Sequence, residues 1–299
     1  MRSFDYLDLK NLYIPPSNAH KGASGKLTII GGSRLFHGAS LWALKIASRI
    51  VDMVFYSSVE ENNELTQKLK GEVYDFIAVG RENVEEYIEQ SDVVLIGPGL
   101  AREDGRSKEE EPTRELTKRL LEKFPSKKWV IDAGSLQTID PEWLKRLNRN
   151  VIITPHQQEF EQLFNPVIAS PSETRAKQSL SEGIATDSSS PRNDIVLEKA
   201  KEYNCVILLK GQVDIVCSPQ DCVQVPGGNA GMTKGGTGDV LAGLVAALAC
   251  KNDLFLAAKA GSYLNKKAGD SLFRKVGPYF NASDLCDEIP KVMKEIIST

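Results

Sequence analysis

Pro226-Gly-Gly-Asn-Ala-Gly-Met-Thr-Lys-Gly-Gly-Thr-Gly-Asp239 holds the residue types best suited to chemistry, and it runs directly into the apolar segment 240–250. Glycines without Cβ let backbone N–H groups approach an anion closely. A helix starting at the end of the run adds its unpaired N-terminal amides and the positive end of its dipole. Gly235, Gly236, Thr237 and Gly238 are therefore expected to cradle a phosphate. Asp239 is out of place there, because a bound phosphate repels a carboxylate. Two explanations are open. It caps the helix, or it is a general base that takes a proton from a hydroxyl attacking a γ-phosphate. The GxxxxGK[ST] spacing of a Walker loop is absent.

Such a loop needs a scaffold that ends strands and starts helices at one edge. Apolar β-rich runs at 26–30, 51–57, 74–79, 92–96, 128–132, 151–154 and 206–210 alternate with helical patterns at 40–49, 111–124 and 194–203. Several runs are continuously apolar, as strands buried on both faces of a mainly parallel sheet are. The alternation predicts an α/β, doubly wound, mainly parallel sheet flanked by helices. Residues 213–217 and 221–225 read as a hairpin around Ser218-Pro-Gln. From Gly238 on, the chain reads as a C-terminal helical segment, with Leu256, Ala260, Tyr263, Leu264 and Ala268 at helical spacing. The length suits a single domain over 1–299. A polar stretch at about 165–192, rich in Ser, Thr, Pro and charge, reads as a variable surface loop, with a lid or subunit contact as the other reading.

The bulk numbers narrow the partners. A net charge of -3 without a Lys/Arg cluster predicts no nucleic-acid binding. The N-terminus lacks the apolar core of a signal peptide, and no run approaches the roughly 18 apolar residues of a membrane span. The expectation is a cytoplasmic protein acting on a small molecule. Five cysteines without a close CxxC pair are expected to be reduced, structural thiols. The three histidines share no close spacing, so no metal site of protein ligands is expected. His20 and His37 read as surface or loop residues.

Gly-Gly-Thr-Gly-Asp at the start of an apolar helix resembles the anion hole and catalytic Asp of the ribokinase-like superfamily. His20-Lys-Gly-Ala-Ser-Gly-Lys-Leu-Thr-Ile-Ile-Gly-Gly-Ser33, Asp92-Val-Val-Leu-Ile-Gly-Pro-Gly-Leu100, Thr154-Pro-His156 with Glu159, and Leu209-Lys-Gly211 narrow the match. With residues 229–239 they come in the order of the ADP/ATP-dependent NAD(P)H-hydrate dehydratases, which the chain resembles from about residue 15 to its end. The resemblance implies a ribokinase-like fold and a hydro-lyase that returns hydrated NADH or NADPH to NAD(P)H at the expense of ADP or ATP. Mg2+ would arrive with the nucleotide, held largely by phosphate oxygens and water. NAD(P)HX epimerase would be a functional partner, and a homo-oligomer is expected.

Carried over by motif, the resemblance implies that Asp239 is catalytic and touches substrate together with Ala39, Gly97, Gly99, His156 and Asn229. It implies that Lys210, Gly211, Gln212, Val213 and Asp214 line the nucleotide region beside Gly235, Gly236, Thr237 and Gly238. Without the family, Lys210 is equally a solvated charge at a strand end, His156 a helix-start residue, and Gly97 and Gly99 a structural turn. Ala39 follows Phe36-His-Gly, where the correspondence is open to a shift of a residue or more.

Some positions depart from the family's usual pattern. Asp132-Ala-Gly-Ser-Leu-Gln137 stands for Asp-Ala-Asp-Ala-Leu/Ile-Asn, so Gly134 and Gln137 differ. Gln157-Gln158-Glu159 stands for Pro-Gly-Glu, and Tyr263-Leu-Asn265-Lys266 for Tyr-Leu-His-Gly. Two further readings therefore accompany the dehydratase: a small-molecule (hydroxymethyl or sugar) kinase that keeps its phosphorylated product, and a degenerate nucleotide-binding homologue.

Overall fold

The computed structural model describes residues 2–68, 75–101, 111–164 and 193–297. Their strands, β1 (Arg2–Ser3), β2 (Lys26–Ile30), β3 (Met53–Ser57), β4 (Ile77–Val79), β5 (Val93–Ile96), β6 (Lys128–Ile131), β7 (Val151–Ile153), β8 (Val206–Leu209), β9 (Asp214–Cys217) and β10 (Cys222–Val225), form one sheet. Its order is β1-β10-β9-β8-β7-β6-β5-β2-β3-β4. From β4 to β8 all pairings are parallel; β9 runs antiparallel to β8 and β10 to β9, and β1 joins β10 in parallel. The sheet is the expected doubly wound, mainly parallel one. Strand order reverses between β2 and β5, and ligands of open α/β sheets settle in the crevice at such a point.

Period-two alternation divides the apolar residues between two cores. Leu27, Ile29, Val93, Leu95 and Val130 face the layer of helices His37–Ala47, Thr237–Ala249, Leu254–Val276 and Ala282–Ile297. Ile30, Val94, Ile96, Trp129 and Ile131 face Val84–Gln90, Thr113–Lys123, Gln157–Phe164 and Asn193–Glu202. Each fully buried aliphatic chain contributes roughly 1.5–3 kcal/mol, so both faces fix the register. The expected C-terminal helical segment is present as three helices, separated at the cap Asp253, whose carboxylate accepts from Leu256 N at 2.9 Å, and at Gly277.

Two expectations need amendment. Cys217 and Cys222 are register partners across the β9–β10 hairpin and form a disulfide, so only Cys205, Cys250 and Cys286 are free thiols. A search for CxxC spacing misses this pair, because a tight hairpin places residues five apart face to face. His37 is not a loop residue; it opens the His37–Ala47 helix, and its Nδ1 pairs with Asn62 Oδ1. The polar stretch at 165–192 lies outside the described residues. Among the described residues no helix is long and apolar enough to cross a membrane.

Candidate active site

Parallel pairing puts Ile30, Ile96, Ile131 and Ile153 in one row across the sheet. The residues following them, Gly31, Gly97, Asp132 and Thr154, therefore emerge together at its carboxyl edge. Lys210 joins them through a parallel bridge with His156 and a hydrogen bond from its N–H to Pro155 O at 2.8 Å. Positions up to 180 residues apart in sequence (31 to 210) so meet on one ledge.

At the reversal point the β2 and β5 loops touch. Gly32 N donates to Pro98 O at 2.7 Å, and a Cβ on Gly99 would lie 3.1 Å from that of Ala39. Ala39, Gly97 and Gly99 are thus brought together, as the family motif implied. Gly97 has φ +123°, and a Cβ there would run into the Asp132 carbonyl oxygen. Only glycine fits, and the β5 turn can press on the β6 end because of it.

Next along the ledge is a charged cluster. Lys210 Nζ donates to Asp132 Oδ1 at 2.9 Å and lies 3.9 Å from Glu159 Oε2. The Thr154 hydroxyl donates to the same Asp132 oxygen at 2.7 Å. Glu159 closes the first turn of its helix by accepting from His156 N at 2.9 Å, and Gln137 Nε2 donates to its other oxygen at 2.8 Å. Asp132 and Glu159 are buried, whereas the His156 ring is exposed. Burial pulls the Lys210 ammonium down, but Asp132, Glu159 and Asp239 together outweigh it and leave its pKa raised. It stays a cation.

The glycine loop completes the site from the other side. Asn229 caps the Ala230–Thr233 turn, accepting from Gly231 N at 3.0 Å and donating to Asp270 at 3.2 Å. Gly236, with φ +94°, turns the chain into the Thr237–Ala249 helix; a Cβ there would strike the Trp42 ring. Gly235 is exposed, and a Cβ on Gly238 would lie 3.7 Å from Lys210 Nζ. Asp239 stands in the first turn beside Lys210. Burial first, then the charge of Asp132, push its carboxyl up to about 7, while Lys210 pulls it down. A carboxylate poised near neutrality is matched to proton transfer. We expect kcat/KM to rise with pH through about 7, since the base must be ionised to accept a proton. A kcat/KM profile flat across neutrality would show that Asp239 does not titrate there in the free enzyme.

Not every implied residue turns toward this space. The Thr237 hydroxyl donates back to Met232 O at 2.7 Å and Lys234 O at 2.9 Å, so its side chain braces the loop. Asp214 is buried, accepting from Gly211 N at 2.9 Å and Ser262 Oγ at 2.7 Å. Gly211, Gln212 and Val213 are exposed around it. A cleft of about 870 Å3 opens from Gly32, Leu100 and Ala101 toward Ser58 and Arg81, and one of about 440 Å3 opens beside Gln137 and Glu159. Asp239 lines neither. Motif spacing singles out neither Asp132 nor Gln137 as a site residue, and Thr154 and Glu159 enter only within a longer motif. The available signal was position, since Asp132 and Thr154 each directly follow a continuously apolar strand.

A sequence model of the NAD(P)H-hydrate dehydratase family matches residues 27–291. The bifunctional NAD(P)H-hydrate repair enzyme Nnr of Methanocaldococcus jannaschii is 34% identical over 295 residues, covering 96% of this chain and 52% of that relative. The ADP-dependent (S)-NAD(P)H-hydrate dehydratase of Nitrosopumilus maritimus is 32% identical over 289 residues, covering 93% of this chain and 91% of the relative. The chain thus spans about half the length of the bifunctional relatives and nearly all of the shorter one. Among solved structures, the ADP/ATP-dependent NAD(P)H-hydrate dehydratase of Bacillus subtilis, co-crystallized with ATP/Mg2+, superposes at a TM-score of 0.76. Its identity is 22%, over 99% of this chain and 98% of that one. A ribokinase-like superfamily protein of Enterococcus faecalis gives a TM-score of 0.75 at 22% identity, over 99% and 96% of the two chains. These two establish the ribokinase-like fold; the family model and the identity to the shorter relative go further, and the chain belongs to the NAD(P)H-hydrate dehydratase family.

Proposed function

We propose that this chain catalyses the ADP- or ATP-dependent dehydration of hydrated NADH or NADPH (NAD(P)HX) back to NAD(P)H. The observation that carries the reading is Asp239, a carboxyl pushed up to about 7, set beside the Lys210 ammonium at a glycine-lined helix start. That arrangement suits activation of a hydroxyl next to a phosphate donor.

In this reading Asp239 takes the hydroxyl proton of the hydrate as the oxygen attacks the terminal phosphoryl group of the nucleotide, whose P–O bond breaks to release AMP from ADP or ADP from ATP. The C–O bond of the new phosphate ester then breaks, and phosphate leaves with its electrons. The ring nitrogen supplies a lone pair to that carbon, and loss of a proton from the neighbouring carbon restores the ring double bond. Phosphate leaves far more readily than hydroxide, which is what the nucleotide contributes. The amides of Gly235, Gly236, Thr237 and Gly238 stabilise charge on the transferring group, with Lys210 opposite. Gly211, Gln212 and Val213 receive the rest of the nucleotide, and Asp214 shapes their loop. Ala39, Gly97, Gly99, His156 and Asn229 border the hydrate.

Asp132 and Glu159 are already engaged by Lys210, Thr154, Gln137 and the His156 amide. Among the described residues no group of three His, Cys, Asp or Glu could hold a metal ion. Mg2+ therefore fits as a companion of the nucleotide phosphates, where it would neutralise charge. NAD(P)HX epimerase is the proposed functional partner, in keeping with relatives of twice the length named bifunctional repair enzymes. We place the enzyme in the cytoplasm as a homo-oligomer. The exposed Phe273, Val276 and Tyr279 at one end of the Leu254–Val276 helix support a contact between copies.

The test is recovery of NADH or NADPH absorbance from its hydrate with Mg2+ and, separately, ADP or ATP. Recovery is expected with at least one nucleotide and none without. No recovery with either would overturn the dehydratase and favour a small-molecule kinase using the same base.

A further inference from the structure

A polar stripe on the Leu254–Val276 helix has no place in the roles given so far. Ser262, Lys266 and Asp270 recur every four residues and so share one face of the helix. Ser262 Oγ donates to Asp214 Oδ2 at 2.7 Å, and Asp270 Oδ1 accepts from Asn229. Between them Lys266, nearly fully buried, donates to Gly211 O at 3.0 Å, Gln212 O at 2.9 Å and Gly227 O at 3.1 Å, with Asp214 Oδ1 at 3.2 Å. The turn at Gly227 and Gly228, with φ +111° and +82°, folds over its stem: a Cβ on Gly228 would lie 3.4 Å from Lys266 Cγ. One ammonium thus ties together the loop after β8 and the loop after β10.

The direction of those carbonyls matters. In a trans peptide C=O and N–H point opposite ways. Carbonyls of Gly211, Gln212 and Gly227 turned onto Nζ leave the amides of Gln212, Val213 and Gly228 directed away from it. Gln212 and Val213 are exposed and Gly228 half-buried, so these amides face the open side of the loops. Backbone N–H groups held in this way make an anion-binding concavity. We propose that Lys266 is a positioning residue for nucleotide binding, an internal cation that presets both loops to offer their amides to a phosphate. Lys266 stands at one of the departures noted in the sequence, where the family's usual residue is glycine. The proposal rests on the nucleotide dependence put forward above.

Calorimetry of ADP and ATP binding to wild type, Lys266→Ala and Lys266→Arg tests it, with kcat and KM beside it and melting curves to confirm folding. Leaving these three carbonyls and the buried Asp214 without their cation is expected to weaken nucleotide binding about ten- to hundred-fold. kcat at saturating nucleotide should stay within about three-fold, because Lys266 touches no reacting atom. Ammonium chloride, but not sodium chloride at equal ionic strength, should restore much of the affinity of the alanine variant, and arginine should retain part of it. A folded alanine variant with unchanged Kd, a loss confined to kcat, or the absence of ammonium recovery would overturn the proposal. Should the alanine variant not fold, Lys266→Met combined with Asp214→Asn removes both buried charges, and wild-type affinity in it would overturn the proposal equally. Because Kd needs no hydrate, a wild type that binds nucleotide without dehydrating anything would sink the proposed reaction and leave this inference standing. A wild type that binds neither nucleotide would sink both.

Discussion

Asp239→Asn is expected to lower kcat by about 10²–10⁴-fold, the usual contribution of a positioned general base, while nucleotide affinity stays within a few-fold or improves. Asparagine keeps the shape and the first-turn position, so the start of the Thr237–Ala249 helix is preserved. It cannot take a proton from a hydroxyl. Removing a negative charge from a phosphate site relieves repulsion, which is why binding should not suffer. The split separates the two explanations that the sequence left open for this residue. A residue that only caps its helix would show a lower melting temperature with near-normal kcat. Gly236 already occupies the cap position, without a side-chain hydrogen bond to the helix. Steady-state kinetics with a binding isotherm for the same variant decides it, and a kcat within three-fold of wild type would remove Asp239 from the chemistry.

Lys210→Met carries the second large effect. Lys210 is the cation placed among Asp132, Glu159 and Asp239, and burial pushes the Asp239 carboxyl toward its neutral form while Lys210 opposes it. Without it, the pull that keeps Asp239 down is lost, and its carboxyl moves further above about 7. The sign follows: less base is ionised at neutral pH, and the acid limb of the kcat/KM profile shifts to higher pH. A donor facing the transferring phosphoryl group is lost as well. Together these predict a fall in kcat/KM of about 10²–10³-fold at neutral pH, partly recovered as pH is raised. An unshifted profile with reduced activity would mean that Lys210 only binds phosphate. Unchanged activity would mean that the pair with Asp132 is structural.

The fold was largely legible in the sequence, for a local reason. Strands buried on both faces are continuously apolar, so 26–30, 92–96 and 206–210 identify themselves without knowledge of their neighbours. The parallel sheet follows from the helices between them. The glycine loop and Asp239 were legible for the same reason: a cluster without Cβ at a helix start is a local statement about backbone approach to an anion. The ends of the shorter strands were not, since pairing rather than composition decides where β4 begins. Family resemblance implied Ala39, Gly97, Gly99 and His156 as neighbours of one ligand; the touching β2 and β5 loops give the physical reason that Ala39 and Gly99 lie side by side.

Tertiary structure alone decided the electrostatics. Asp132 and Lys210 are 78 residues apart, and nothing in either neighbourhood says that one holds the other. Asp214 and Lys266 are 52 residues apart in sequence, yet they are buried together. Thr237, expected among phosphate contacts, spends its hydroxyl on two carbonyls of its own loop. Cys217 and Cys222 became partners only through the register of a hairpin. Composition and spacing record which groups are available and what the nearby backbone permits. Charge pairing, burial and the pKa of Asp239 depend on distances between segments that only packing brings together, so the glycine loop and its helix start could be read from the chain and the electrostatics around them could not.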